Sequence, residues 1–208
     1  MRFADLDAVT LDAFGTLVTL RDPVPELRRA LRERGVEREA DEVRRAFEDE
    51  GRYYRAHSFE GHDGGSLARL RRDCVGIFFG ALSCDLDPDE FVDPYIDALR
   101  FELLPGVAGA VRGLTGHGLA LAVVSNWDLT LPEHLAALGL DGLPVVTSAR
   151  VGVAKPDPAP FRLALAELGV RPKRTLHVGD DAADEAGAQA AGVRFAPAPL
   201  TDVVQGLA

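Results

Sequence analysis

The chain has 208 residues, 47% of them hydrophobic, and carries 23 basic against 33 acidic side chains for a net charge of −10. That length accommodates one well-buried core plus an inserted subdomain, and the apolar fraction excludes a disordered chain. The negative charge argues against non-specific binding to nucleic acid or an anionic membrane, and no apolar run reaches the roughly 18 residues of a transmembrane helix.

In chain order, the opening Met1-Arg2-Phe3-Ala4 lacks the apolar core of a signal peptide, so a cytoplasmic location is expected. Residues 8–17, Ala-Val-Thr-Leu-Asp-Ala-Phe-Gly-Thr-Leu, read as a short buried strand ending at Asp12, followed at once by a tight turn at Gly15-Thr16. Residues 23–101 read as helical: from Pro23 to about Arg34, from about Ala40 to Tyr54, from Leu67 to Leu82, and from about Asp89 to Arg100. Between the second and third helices, the glycines of Ser58–Ser66 predict a loop. Cys74 and Cys84 are too few for a disulfide framework and are expected as thiols.

Leu103-Leu-Pro-Gly-Val107 marks a boundary and the start of a helix to about His117. Strands are then expected at 119–124, 144–147, 175–178 and 193–196, with helices at 131–138, 161–168 and 184–191 between them. Such alternation implies an α/β fold, a Rossmann-like parallel sheet with helices on both faces and right-handed crossovers. The helical block interrupts it after the first strand, as an insertion over the carboxyl edge of the sheet.

Each chemically suggestive group falls directly after a strand. Asp12 ends the first. Ser125 and Asn126 end the second, with a hydroxyl and N–H groups near a helix start, an arrangement that binds anions. Lys155 is one of only two lysines, and Gly179-Asp180-Asp181-Ala-Ala-Asp184 follows the strand at 175–178. Taken singly, Ser125 reads as a helix cap, the acidic run as a solvated helix start and Lys155 as a surface residue. Together, in order, at the edge where open α/β sheets bind ligands, they read as a site. Carboxylates converging there repel unless a hard divalent cation sits among them, and magnesium suits oxygen ligands.

This pattern resembles the haloacid dehalogenase superfamily, mostly magnesium-dependent phosphatases, and the resemblance spans the chain. Asp-Ala-Phe-Gly-Thr-Leu at 12–17 is similar to the first motif, whose leading Asp is the nucleophile; Val-Val-Ser-Asn at 123–126 to the second; Lys155-Pro-Asp-Pro to the third; Gly-Asp-Asp-Ala-Ala-Asp at 179–184 to the fourth. The resemblance implies a core of residues 1–17 and 103–208 and an α-helical cap of 18–102. It implies Asp12, Ser125 and Lys155 as catalytic residues, with Gly15, Thr16, Ser125, Asn126 and Lys155 binding substrate. Magnesium would be held by Asp12, the Phe14 carbonyl, Asp180 and Asp184, with Asp181 and Glu185 as alternatives to Asp184. The implied partner is a small, phosphorylated substrate, with no nucleic acid or membrane, and a monomer or homodimer.

The sequence departs from that pattern at Phe14, where phosphatases of the superfamily place a second Asp that protonates the leaving oxygen. Losing a general acid/base costs about 10²–10⁴-fold. Three readings follow. The first is a phosphatase whose leaving group needs little protonation or whose cap supplies the acid; the second, a 2-haloacid dehalogenase; the third, a ligand-binding relative. The intact metal-type fourth motif favours the first. A dehalogenase would also need a carboxylate-binding arginine, and Arg44, Arg45 and Arg52 are all available. Among cap residues, His57 and His62, beside Tyr53 and Tyr54, are candidate replacement acids, although exposed histidines are ordinarily just solvated. Trp127 is expected to pack, and Asp128 lies next to it.

Overall fold

A computed structural model describes residues 2–207. After a 3₁₀ turn at Phe3–Asp5, the chain runs through β1 (Ala8–Leu11), β2 (Val18–Leu20), α1 (Val24–Arg32), α2 (Ala40–His57), α3 (Gly64–Ala81), α4 (Pro88–Ala98) and β3 (Phe101–Leu103). It continues with α5 (Val107–Gly116), β4 (Ala120–Ser125), α6 (Leu131–Ala137), β5 (Val145–Thr147), α7 (Ser148–Val151) and α8 (Ala159–Leu168). Next come β6 (Thr175–Gly179), α9 (Ala182–Ala190), β7 (Arg194–Pro197) and α10 (Leu200–Leu207). Two compact units result: residues up to Thr19 with those from Glu102 onward, and Leu20–Phe101.

The first unit is built on a parallel sheet in the order β5-β4-β1-β6-β7. β1 is central because it is buried on both faces, with Ala8, Val9 and Leu11 fully enclosed. Its register sets Leu11 against Val123 of β4 on one side and Val178 of β6 on the other. Ala122 and Val124 of β4, Val146 of β5, Phe161 and Leu165 of α8, Ala188 of α9 and Val193 form one core cluster on this sheet. The chain proceeds outward from β4 to β5, then returns past β1 to β6 and β7. That reversal opens a crevice beyond the carboxyl ends of β4, β1 and β6, where ligands bind in such sheets.

In the second unit, Leu27, Leu31, Val43, Val75, Phe78 and Phe91 are buried together. Phe78 meets Tyr95 edge-on at 5.2 Å between ring centroids, and Phe79 lies 5.0 Å from Phe91. Each large side chain enclosed this way contributes about 1.5–3 kcal/mol of hydrophobic stabilisation. No helix among the described residues is long and apolar enough to cross a membrane.

The expected α/β architecture is present, and the differences are local. The loop expected at Ser58–Ser66 is largely absorbed. α2 runs on to His57, and α3 begins at Gly64 rather than Leu67. The cause is a capping box: Asp63 Oδ1 accepts from Ser66 N at 2.7 Å, and Ser66 Oγ accepts from Asp63 N at 3.0 Å. This satisfies the first-turn donors and outweighs the weak helix propensity of Gly64 and Gly65. The fourth helix stops at Ala98, and residues from Phe101 form a two-stranded sheet with β2 where the chain passes between the units. Helices α7 and α10 were not expected.

Glu50 of α2 is an exception to this apolar packing, a carboxyl that is 94% enclosed by residue surface, with only 6% exposed. Burial pushes it above the ordinary glutamate range, and Cys74, Tyr95 and the charge of Arg55 only partly offset that. The folded state therefore holds this proton more tightly than the unfolded state. Stability is highest below the ordinary glutamate pKa and is lost as pH rises through the folded value. Glu50→Gln cannot ionise, so at pH 8 it is expected to unfold at higher urea than the native chain, by about 1 kcal/mol, an ordinary single-site effect. The gap should close toward pH 4. A gap of equal size at both pH values would show that the charge of Glu50 is not what matters.

Candidate active site

The turn after β1 is held by its own backbone. The Ala13 carbonyl accepts from the N–H groups of Thr16, Leu17 and Val18 at 3.3, 2.8 and 2.9 Å, and Gly15 N–H donates to the Val18 carbonyl at 2.8 Å. Gly15 has φ of +80°, and a Cβ there would run into the Asp180 carboxylate, so only glycine fits. Likewise a Cβ on Gly179 would strike Asp184. Gly15 thus lets the turn after β1 approach the Asp180 carboxylate after β6, while Gly179 lets Asp184 of α9 fold back over the end of β6.

At the centre stands Lys155, buried with only 6% of its surface exposed. Its three N–H donors are all engaged: by Asp12 Oδ1 at 2.6 Å, by the Val124 carbonyl at 3.0 Å, and by Asp184 Oδ1 in a short ion pair. Its backbone is clipped to the end of β4 by Asn126, whose Oδ1 accepts from Lys155 N at 2.7 Å and whose Nδ2 donates to the Lys155 carbonyl at 3.0 Å. Burial opposes the charge of Lys155, but Asp12 and Asp184 overcome this and raise its pKa. For Asp184, burial works upward, but the hydrogen bond from His177 and the charge of Lys155 more than reverse it and hold its pKa at about 2.

Asp180 has no such partner among the described residues. Burial and the neighbouring charges of Asp12 and Asp184 push its pKa upward. Oxygens of Asp12, Asp180 and Asp184 lie within 4.8 Å of one another, so three carboxylates face one ammonium. This excess of oxygen ligands and negative charge fits a hard divalent cation. Asp181 and Glu185 are used otherwise: Asp181 caps α9 by accepting from Ala183 N at 2.8 Å, and Glu185 accepts from Gln189 at 3.0 Å.

Several residues expected at the site have other duties. The N–H groups of Gly15 and Thr16 are spent inside the turn, which leaves the Thr16 hydroxyl, buried with no hydrogen-bond partner among the described residues. Asn126 serves Lys155, and the next helix, α6, starts only at Leu131, so no helix N-terminus stands at the end of β4. Ser125 is buried as the last residue of β4, paired with Thr147. Phe14 is 47% exposed, with its backbone bridged to Val18. Trp127 is buried, its backbone N–H donating to Ser148 Oγ at 3.1 Å, and Asp128 Oδ1 accepts from the N–H and hydroxyl of Thr130. In the helical unit, His57 stacks on Tyr53 and donates from Nδ1 to its carbonyl, while His62 Nδ1 bonds the Glu60 carbonyl. Arg44 pairs with Asp22 and Arg52 with Asp49. The reading of the sequence missed His177, which sits inside a strand and not at its end. Its one signal is an imidazole set between the apolar Leu176 and Val178.

Strand order and strand-end chemistry together define a Rossmann-like α/β core carrying a lysine-bridged acidic centre. Residues 6–192 match the family model of haloacid dehalogenase-like hydrolases, and the chain belongs to that family. It is 34% identical over 202 residues to the mouse haloacid dehalogenase-like hydrolase domain-containing protein 3, covering 89% of this chain and 78% of that one. With the phosphoserine phosphatase of Thermus thermophilus it shares 39% identity over 99 residues, 46% of this chain and 40% of the relative. The crystal structure of a defluorinating L-2-haloacid dehalogenase superposes with a TM-score of 0.77 at 17% identity, covering 100% of this chain and 98% of the other. That last likeness is one of fold.

Proposed function

We propose that this chain is a magnesium-dependent phosphatase of small phosphorylated molecules that works through an aspartyl-phosphate on Asp12. The observation that carries the reading is the charge imbalance of Asp12, Asp180 and Asp184 against Lys155 alone. A dehalogenase, which needs no metal, would use Asp12 as its nucleophile and pair Asp184 with Lys155, but would leave Asp180 without a counter-charge. Asp12, Asp180, Asp184 and the Phe14 carbonyl would hold the ion, which when bound supplies positive charge against the phosphoryl oxygens.

Lys155 engages Oδ1 of Asp12, which leaves Oδ2 to attack phosphorus. The bond from phosphorus to the leaving oxygen breaks, its electron pair departs with that oxygen, and the phosphoryl group remains on Asp12. Water then attacks phosphorus, the bond from phosphorus to Asp12 Oδ2 breaks and returns the carboxylate, and inorganic phosphate leaves with the water oxygen and one of its protons, the other passing through solvent to the departed oxygen. Lys155 balances negative charge throughout, and the hydroxyls of Ser125 and Thr16 are donors for phosphoryl oxygens. Phe14 offers no proton, so leaving groups that depart without one, as in aryl and acyl phosphates, are favoured over sugar phosphates.

The test is phosphate release from aryl, acyl and sugar phosphates with magnesium and with a chelator, beside halide release from 2-haloacids. Magnesium-dependent release, fastest for aryl and acyl phosphates, is the expected result. Halide without metal, and no phosphate, would replace this reading with the dehalogenase one, which Phe14 alone favours.

A further inference from the structure

His177 belongs to none of the motifs above, yet it is fully buried against the acidic centre. Its Nε2 lies 3.0 Å from Asp184 Oδ1 and its Nδ1 lies 3.0 Å from Thr10 Oγ1. A carboxylate only accepts, so Nε2 carries the proton. The other ring nitrogen, Nδ1, faces the Thr10 hydroxyl, so both nitrogens are bonded. The ring cannot turn out of this arrangement. β1 and β6 pair Thr10 directly with His177, and Phe161 stands perpendicular to the ring at 4.8 Å.

Enclosing two polar nitrogens in a sheet core is costly unless both are bonded, and an aliphatic residue would fill the same space at no such cost. What the imidazole adds is one directed N–H. Asp184 Oδ1 receives it together with Lys155, while Oδ2 accepts from Asp181 N at 3.2 Å. The carboxylate is thereby held in one rotation from three sides.

We propose that His177 is a positioning residue that, through its Nε2–H bond to Asp184 Oδ1, presets that carboxylate to bind a divalent cation together with Asp12 and Asp180. Its consequence for turnover rests on the phosphatase reading above; its consequence for cation binding does not. Outer-shell partners of this kind typically matter by 10–100-fold in metal affinity.

Three substitutions separate positioning from packing. The amide nitrogen of His177→Gln reaches the place of Nε2, that of His177→Asn only the place of Nδ1, and His177→Leu has neither. Magnesium binding is measured by titration calorimetry on the whole chain, with urea unfolding and the magnesium dependence of phosphate release alongside. His177→Asn and His177→Leu are expected to weaken magnesium binding by about 10–100-fold, and His177→Gln to retain the native affinity. Should His177→Leu fail to fold, the Gln–Asn difference still decides. Equal magnesium affinity in Gln and Asn variants, affinity that simply follows unfolding midpoints, or a native chain that binds no magnesium would each overturn the inference. If the Gln–Asn split is seen in binding but no phosphate is released from any substrate, the phosphatase reading fails and the role of His177 stands. Turnover without the split has the opposite meaning.

Discussion

Phe14→Asp is expected to raise phosphate release from sugar phosphates by at least about 10²-fold, the lower end of what a positioned general acid contributes, and to change release from aryl phosphates far less. The turn that carries position 14 does not depend on its side chain: it is closed by bonds to the Ala13 carbonyl and between Gly15 and Val18. With the ring 47% exposed, its removal leaves the core intact. The new carboxyl stands two residues from Asp12, in a turn whose Gly15 packs against the Asp180 carboxylate. Like charge favours its protonated form, the form in which a general acid must arrive. An alkoxide leaving group gains most from that proton. A phenolate or carboxylate departs readily with its own charge. Steady-state rates on a sugar phosphate and a nitrophenyl phosphate, for both proteins, check this. An equal gain on both substrates, or none on either, would locate the protonation limit away from residue 14.

The sheet and the acidic centre were legible in the sequence for the same physical reason. A strand buried on both faces is mostly apolar, so Ala8–Leu11, polar only at Thr10, and Leu121–Val124 read as runs, and a charged residue is tolerated where such a run ends. Asp12 and Asp180 therefore stand out by position, Asp184 by its place in the acidic run that follows, and Lys155 as one of only two lysines. Asp184 was less clear than Asp180, because only the folded chain shows that Asp181 turns back to cap α9 and that Lys155 reaches Asp184. His177 was illegible because a strand interior hides one imidazole among apolar neighbours; its partners Thr10 and Asp184 come from β1 and α9. The pairing of β2 with β3 joins three-residue strands some eighty residues apart, too short to carry a periodic signal. α3 starts before the expected Leu67 because the Asp63–Ser66 box outweighs the weak helix propensity of Gly64 and Gly65, which predicts a loop.

Asp12→Asn and Lys155→Met are expected to abolish turnover alike, each on the order of 10⁴–10⁶-fold, as when a nucleophile or its essential partner is lost. Their effects on stability should nevertheless be opposite. Without metal, the centre holds three carboxylates against one ammonium. Asp12→Asn removes one negative charge, keeps a side-chain oxygen for the Lys155 ammonium, and relieves Asp180 of one repelling neighbour. Metal-free, it should melt at or slightly above the native temperature. Lys155→Met leaves Asp12, Asp180 and Asp184 with no counter-charge, and removing one partner of a buried pair costs about 3–5 kcal/mol. Magnesium acts on the two unequally: a bound cation stabilises with the logarithm of its affinity for the folded state. It should raise the melting temperature of Lys155→Met strongly and that of Asp12→Asn, which has lost a ligand, only a little. Melting curves of the three proteins, with magnesium and with chelator, read this directly. If Lys155→Met melts like the native chain in chelator, the carboxylates are not held together by Lys155, and the charge imbalance on which the metal-dependent reading rests loses its force.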